Sequence, residues 1–169
     1  MWWSDTKQLN RRGFLALSAV AGLSACGFAP VYGEGGRGRV LRNAVRLDDP
    51  VTRADYQFLH AVEDLLGRPT NPRFALTYTI DTREVAGGSV ENVGDTRMQI
   101  FGTLDFTMTD SVSGLSVAQG QLTGNTAYST TGTQLSSLTA QEDAGLRLMR
   151  MLAESLVTRL YTEPGIPTE

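Results

Sequence analysis

The sequence predicts an α+β two-layer sandwich, a four-stranded sheet with two helices on one face in the order β-α-β-β-β-α. Three observations carry that prediction. Apolar and polar residues alternate through the middle of the chain, the period of a half-buried antiparallel sheet. Two stretches with apolar residues three and four apart, the period of amphipathic helices, bracket that region. A short alternating stretch stands ahead of the first helix.

In residues 39–47, "RVLRNAVRL", Leu41, Val45 and Leu47 share one face of an extended strand, with Arg42 and Arg46 on the other, before Pro50 breaks it. The next stretch, "VTRADYQFLHAVEDLLG", has Val51, Ala54, Phe58, Val62, Leu65 and Leu66 at helical spacing and ends at Gly67, a C-cap residue type. Phe74, Leu76, Tyr78 and Ile80 then alternate with Ala75, Thr77, Thr79 and Asp81. "REVAGGSVENVGDT" reads as a long hairpin connection. A second strand sets Met98, Ile100, Leu104, Phe106 and Met108 against Gln99, Thr103, Asp105, Thr107 and Thr109, and "DSVSG" turns it. The third strand, 115–128, alternates more weakly, and Gly120 and Gly124 mark bends or a close backbone approach. In "TAQE", Thr139 and Glu142 have capping-box spacing. Ala144, Leu146, Met149, Leu152, Ala153, Leu156, Val157 and Leu160 then form the apolar stripe of a helix reaching about Tyr161, before Pro164.

With 169 residues, 41% of them hydrophobic and 20% charged, the chain is expected to hold one folded domain. Its formal charge of −3 is uneven: Lys7, Arg11 and Arg12 against Asp5 give +2 ahead of Cys26, so the remainder carries −5. The basic start reads as an export leader, "NRR" followed by the apolar run "GFLALSAVAGLSA". That run is 13 residues long, short of the roughly 20 that span a bilayer. The leader ends at Cys26, the single cysteine, in "LSAC", which resembles a lipobox. There the thiol accepts lipid and small residues ahead of it fit a peptidase cleft. A buried thiol or an intermolecular disulfide are the alternatives, and neither explains a cysteine at the end of a signal sequence. "NRRGFLA" also resembles a twin-arginine export pattern, which leaves the export route open. Gly27, rather than aspartate, after the cysteine leans toward the outer membrane. The expected organisation is a removed signal peptide at 1–25, a lipidated tether at 26–37, one α+β domain at 38–163 and a flexible tail at 164–169.

Several function classes lack their residues. There is no G-x-S-x-G element, and the only histidine, His60, falls on the first helix beside its apolar stripe, a helix-surface position rather than a catalytic base. One cysteine and one histidine exclude a Cys/His metal site. The acidic pairs Asp48-Asp49, Glu63-Asp64 and Glu142-Asp143 sit before, in or at the start of helices, where acids are expected structurally. An acidic mature charge speaks against nucleic acid. A formal dinucleotide fingerprint, Gly33-x-Gly35-x-x-Gly38, follows a signal sequence and precedes strand-like residues, the wrong context for nucleotide binding. The chain from Cys26 onward has no lysine, and four of its twelve arginines, Arg37, Arg39, Arg42 and Arg46, cluster at the first strand. Their planar forks suit an anionic head group; a charged edge strand held off aggregation is the competing reading. The sheet face away from the helices is expected to show Thr, Gln and Ser, either to solvent or to a polar protein surface.

The start "LSACGFAPVYG", the strand-helix-three-strand order and the final "AQEDAGLRLMRMLAESLVTRLY" together resemble the LPS-assembly lipoprotein family, LptE. The resemblance implies a non-enzymatic outer-membrane lipoprotein, anchored on the periplasmic side by covalent lipid on Cys26 and with no other cofactor. It implies that the protein plugs the lumen of the LptD outer-membrane barrel, assists its assembly, and helps insert lipopolysaccharide (LPS) into the outer leaflet. Arg37, Arg39, Arg42 and Arg46 are then the candidates for LPS phosphates. The rival readings are an auxiliary lipoprotein of another envelope lipid transporter and a periplasmic hydrolase.

Overall fold

The computed structural model describes residues 31, 33, 36–90 and 94–168, all within one compact unit, Val31–Glu169. The leader, Cys26 and most of the tether lie outside the described residues. The elements are α1 (Arg37–Leu41), β1 (Val45–Leu47), α2 (Arg53–Leu66), β2 (Phe74–Val90), β3 (Gly94–Asp110), β4 (Ser116–Ser129) and α3 (Gln134–Thr162). They build the expected α+β sandwich, with one additional short helix at its start.

That helix corrects the reading of 39–47 as one strand. Leu41 and Val45 are four apart, a spacing that suits a helix as well as a strand. Asn43 turns the chain between them at φ 56°, a left-handed conformation that asparagine tolerates. Leu41 thus enters the core from α1, and Val45 and Leu47 enter it from β1. The glycine fingerprint accordingly runs into a five-residue helix, and no strand precedes that helix among the described residues.

The sheet order is β1-β2-β3-β4. β1 pairs in parallel with β2, Val45 opposite Phe74 and Leu47 opposite Leu76, so α2 is the crossover that parallel pairing requires. β2, β3 and β4 form an antiparallel meander. Residues 83–96, expected as a connection, are mostly strand: β2 and β3 each run for 17 residues. Register shifts at Ala86/Gly88 and Gly88/Ser89 absorb the glycines as bulges, so the ladder bends without ending.

α2 opens with a capping box. Thr52 Oγ1 accepts from the Asp55 N–H at 3.1 Å, and Asp55 Oδ2 accepts from the Thr52 N–H at 2.8 Å. It ends at Gly67 as expected, where φ is +81° and the N–H donates to Glu63 O at 2.8 Å. Phe58, Ala61, Val62 and Leu66 are its buried residues. Val51 precedes the helix and is 92% exposed, and Leu65 is half-exposed, so neither belongs to the stripe. α3 starts earlier than "TAQE": Thr133 caps it, accepting from the Ser136 N–H at 3.2 Å. Thr139 lies inside the helix and donates to Leu135 O at 3.0 Å, so it caps nothing. Leu148 replaces Leu146 in the buried stripe. The tail expected to be flexible after Pro164 is tied down, since Ile166 is buried and its carbonyl accepts from Arg37 Nε at 3.1 Å.

α2 and α3 cover one sheet face, burying Phe74, Leu76, Leu104, Phe106 and Met108 against Phe58, Leu148, Leu152 and Leu156. Each such side chain contributes roughly 1.5–3 kcal/mol relative to exposure. Directly opposed glycines, Gly102 and Gly124, let α3 approach the sheet. A Cβ on Gly102 would stand 3.1 Å from Leu148 Cδ2 and 3.2 Å from Leu152 Cδ1. The sequence left Gly124 as a bend or a close approach; it is a close approach.

Candidate interaction surface

The opposite sheet face has no layer on it among the described residues. The register sets its side chains in cross-strand rows: Arg46, Ala75 and Thr109; Thr77, Thr107 and Gln119; Thr79, Asp105 and Gln121; Asp81, Thr103 and Thr123; Arg83, Phe101 and Asn125. Period-two alternation puts these residues opposite the core positions on the same strands. Thr77, Thr79, Asp81, Thr107, Gln119, Gln121 and Thr123 are exposed.

A shallow hollow in the middle of this face is lined by Thr77, Thr79, Asp105, Thr107 and Gln119. Gln121 Nε2 donates to Asp105 Oδ1 at 2.9 Å, which fixes the carboxylate that lines this hollow. Arg83 lies over the Phe101 ring, 4.9 Å from its centroid, so a guanidinium covers the aromatic side chain of these rows. The surface therefore offers hydroxyl and amide donors and acceptors in both senses, with few net charges and little bare apolar area. It suits a polar, hydrogen-bonding counterpart.

The four arginines read as one cluster are divided between elements. Arg37, on α1, is half-buried and its Nε is committed to Ile166. Arg39, in the middle of α1, and Arg42, in the turn beyond it, are exposed. Arg42 lines a cleft of about 320 Å³ with Asn43, Asp64 and Tyr161. Arg46, alone of the four, projects from β1 onto the open sheet face, in register with Ala75. Cys26 lies outside the described residues.

His60 is half-exposed on α2, where its ring meets Tyr56 edge-on at 4.5 Å and its Nδ1 stands 3.9 Å from Glu63. No group of three or more His, Cys, Asp or Glu residues is placed to hold a metal among the described residues.

Two features escaped the sequence reading. Glu84 accepts from Tyr128 O–H at 3.0 Å and from Gln141 Nε2 at 2.8 Å, joining β2, β4 and the first turns of α3. Burial, with Glu84 beside it, raises the Tyr128 phenol above its usual range. The Arg83–Phe101 pair is the other. Arg83 and Glu84 open the stretch taken as a connection, and continuing the alternation of Phe74–Ile80 through them would have placed both on β2, on opposite faces.

No protein-family model and no curated protein sequence matches this chain. Solved structures do match. The crystal structure of a proposed lipoprotein from Caulobacter crescentus superposes with a TM-score of 0.64 at 19% identity, covering 77% of this chain and 96% of that one. This chain shares that protein's fold. A minor lipoprotein from Acinetobacter baumannii matches with a TM-score of 0.51 at 14% identity, over 75% of this chain and 93% of that one. Rare lipoprotein B from Shewanella oneidensis gives 0.52 at 8% identity, over 68% and 89%. At these identities the likeness establishes the shared fold, and each neighbour is spanned over most of its length.

Proposed function

We propose that this protein is an outer-membrane lipoprotein, acylated on Cys26, that partners the LptD β-barrel as plug and assembly factor and assists insertion of LPS into the outer leaflet. The observation that carries the reading is the open sheet face, a broad hydroxyl-and-amide surface on a fold shared with lipoproteins. The lumen of an outer-membrane barrel is polar and hydrogen-bonding. A plug seated there needs a face that is wettable and nearly uncharged, and rows such as Thr77, Thr107 and Gln119 provide one. The lipobox at Cys26 supports the membrane location. Two or more acyl chains make anchoring stable, at about 0.8 kcal/mol per buried CH2.

In this reading the protein is not an enzyme, and its only cofactor is the lipid on Cys26. LPS is bound through its phosphates by Arg46, exposed on the open face, whose fork pairs with phosphate oxygens. Arg37, grouped with it in the sequence, has its Nε committed to the Ile166 carbonyl.

The test is a mild-detergent pull-down of the tagged full-length protein with identification of stoichiometric partners. A large outer-membrane barrel carrying LPS is the expected result. An inner-membrane transporter in its place would transfer the protein to another envelope lipid-transport system as an auxiliary lipoprotein, and recovery of no partner would overturn the plug reading.

A further inference from the structure

One end of the sandwich gathers the chain's connecting segments. The Gly38 N–H donates to Val31 O at 3.0 Å, which pins the end of the tether to α1. Arg37 Nε, on the same helix, holds Ile166 O at 3.1 Å, and Gly165 lies against the Val117 carbonyl at the start of β4. The turn that leads into β4 is joined to the 67–73 loop, because the Ser111 N–H donates to Arg73 O at 2.8 Å. That loop is joined in turn to the segment after α1, since the Thr70 N–H donates to Asn43 O at 3.1 Å. Val31 and the β3–β4 turn therefore belong to the same end of the fold.

This turn displays two large aliphatic side chains. Val112 is 84% exposed and Leu115 is 67% exposed. The turn holding them is closed tightly: the Val112 N–H donates to Asp110 Oδ1 at 2.9 Å, the Gly114 N–H to Asp110 O at 2.7 Å, and the Asp110 N–H to Leu115 O at 3.0 Å. Arg73 pairs with Asp110 at 3.1 Å, which neutralises the carboxylate beneath the tip. The same end carries Arg39 and Arg42, exposed and without an ion pair among the described residues. Fixed aliphatic groups and free cations at one end of a fold are the composition of an interfacial membrane contact.

Chain length supplies the occupant. Val31 is the fifth residue after Cys26, and fully extended those five steps reach at most about 18 Å. With its acyl chains in a leaflet, Cys26 keeps this end of the fold within a short reach of the headgroups.

We propose that Val112 and Leu115 dock into the bilayer interface of the leaflet that holds the Cys26 acyl chains, with Arg39 and Arg42 against anionic headgroups. The lipoprotein then has a second membrane contact and a fixed orientation. The inference rests on the lipid anchor at Cys26 and is independent of what the open sheet face binds.

The chain supplies a clean probe, because both tryptophans, Trp2 and Trp3, precede Cys26 and leave with the signal peptide. Full-length acylated Val112→Trp is reconstituted into phosphatidylethanolamine–phosphatidylglycerol vesicles with brominated acyl chains, beside Leu135→Trp as reference. Leu135 is 75% exposed at the other end of α3, and that 29-residue helix is about 43 Å long. Val112→Trp is expected to emit at shorter wavelength and to be quenched several-fold more than Leu135→Trp. Equal quenching of the two variants, in protein that carries the acyl mass on Cys26 and floats with the vesicles, would overturn the docking alone. Absence of the acyl mass would overturn the anchor and the docking with it.

Discussion

Gly102 and Thr103 are adjacent on β3 and face opposite worlds. Gly102 meets Leu148 and Leu152 at 3.1–3.2 Å from where a Cβ would stand, whereas Thr103 sits between Asp81 and Thr123 on the uncovered face. The two faces of one sheet thus divide the labour. The helix-covered face is closely fitted and sets stability, and the open face is polar and loosely constrained, free to be shaped by a partner. A single residue of register decides which role a position takes.

Substitutions on the covered face sharpen that contrast most. Leu152→Ala removes a fully buried side chain at the centre of the core and is expected to cost about 3 kcal/mol in urea unfolding. Gly102→Val forces branched bulk between β3 and α3 and is expected to cost about 2–3 kcal/mol. Thr103→Val, one residue along, is expected to stay within about 0.5 kcal/mol of the parent. Equal losses at 102 and 103 would break the two-face account.

Two titrating groups give smaller, pH-dependent effects on the stability side of the comparison. Asp110 accepts the Val112 N–H, which lowers its carboxyl pKa; burial opposes this and Arg73 adds to it. A lowered folded-state value means stability that is present above about pH 3.9, the ordinary aspartate value, and lost as pH falls through the lowered one. Asp110→Asn is expected to flatten that acid limb of the urea midpoint. Tyr78 is pushed up to about 12, first by burial and then by Asp55 and Asp48. Its folded-state value lies above the unfolded one, so stability declines as pH rises from about 10 toward the raised value. Its hydroxyl is buried without a hydrogen-bond partner among the described residues. Tyr78→Phe is therefore expected to remove the alkaline decline and to add up to about 1 kcal/mol at neutral pH.

Periodicity made much of the fold legible in the sequence. Phe74–Ile80 and Met98–Met108 each repeat a two-residue period several times, and the repeats fixed which side chains enter the core and which form the open face. The misreadings share a cause: local pattern is silent where tertiary contacts decide. Leu41 and Val45 satisfy both periods, and a turn at Asn43 chose between them. The first turns of α3 carry Leu135 and Leu138 exposed, so no apolar stripe announced the helix before Ala144. Ile166 stands alone after Pro164, and contacts no sequence pattern announces hold it: its carbonyl with Arg37, its N–H with Glu163 O, and its side chain with the core. The open face was foreseen as Thr- and Gln-rich. The dispersal of Arg37, Arg39, Arg42 and Arg46 over a helix, a turn and a strand was not, because residues close in sequence part company at that same turn.

The central claim is that the open face seats against a polar barrel wall, and Thr107→Arg tests it most directly. Thr107 is exposed in the middle of that face, between Thr77 and Gln119, so the long cation is expected to leave the urea midpoint unchanged. In the full-length lipidated protein, extracted from membranes beside the parent, the account predicts that the parent recovers the barrel and the variant loses it. Recovery of the barrel in equal amount by both proteins would contradict the account.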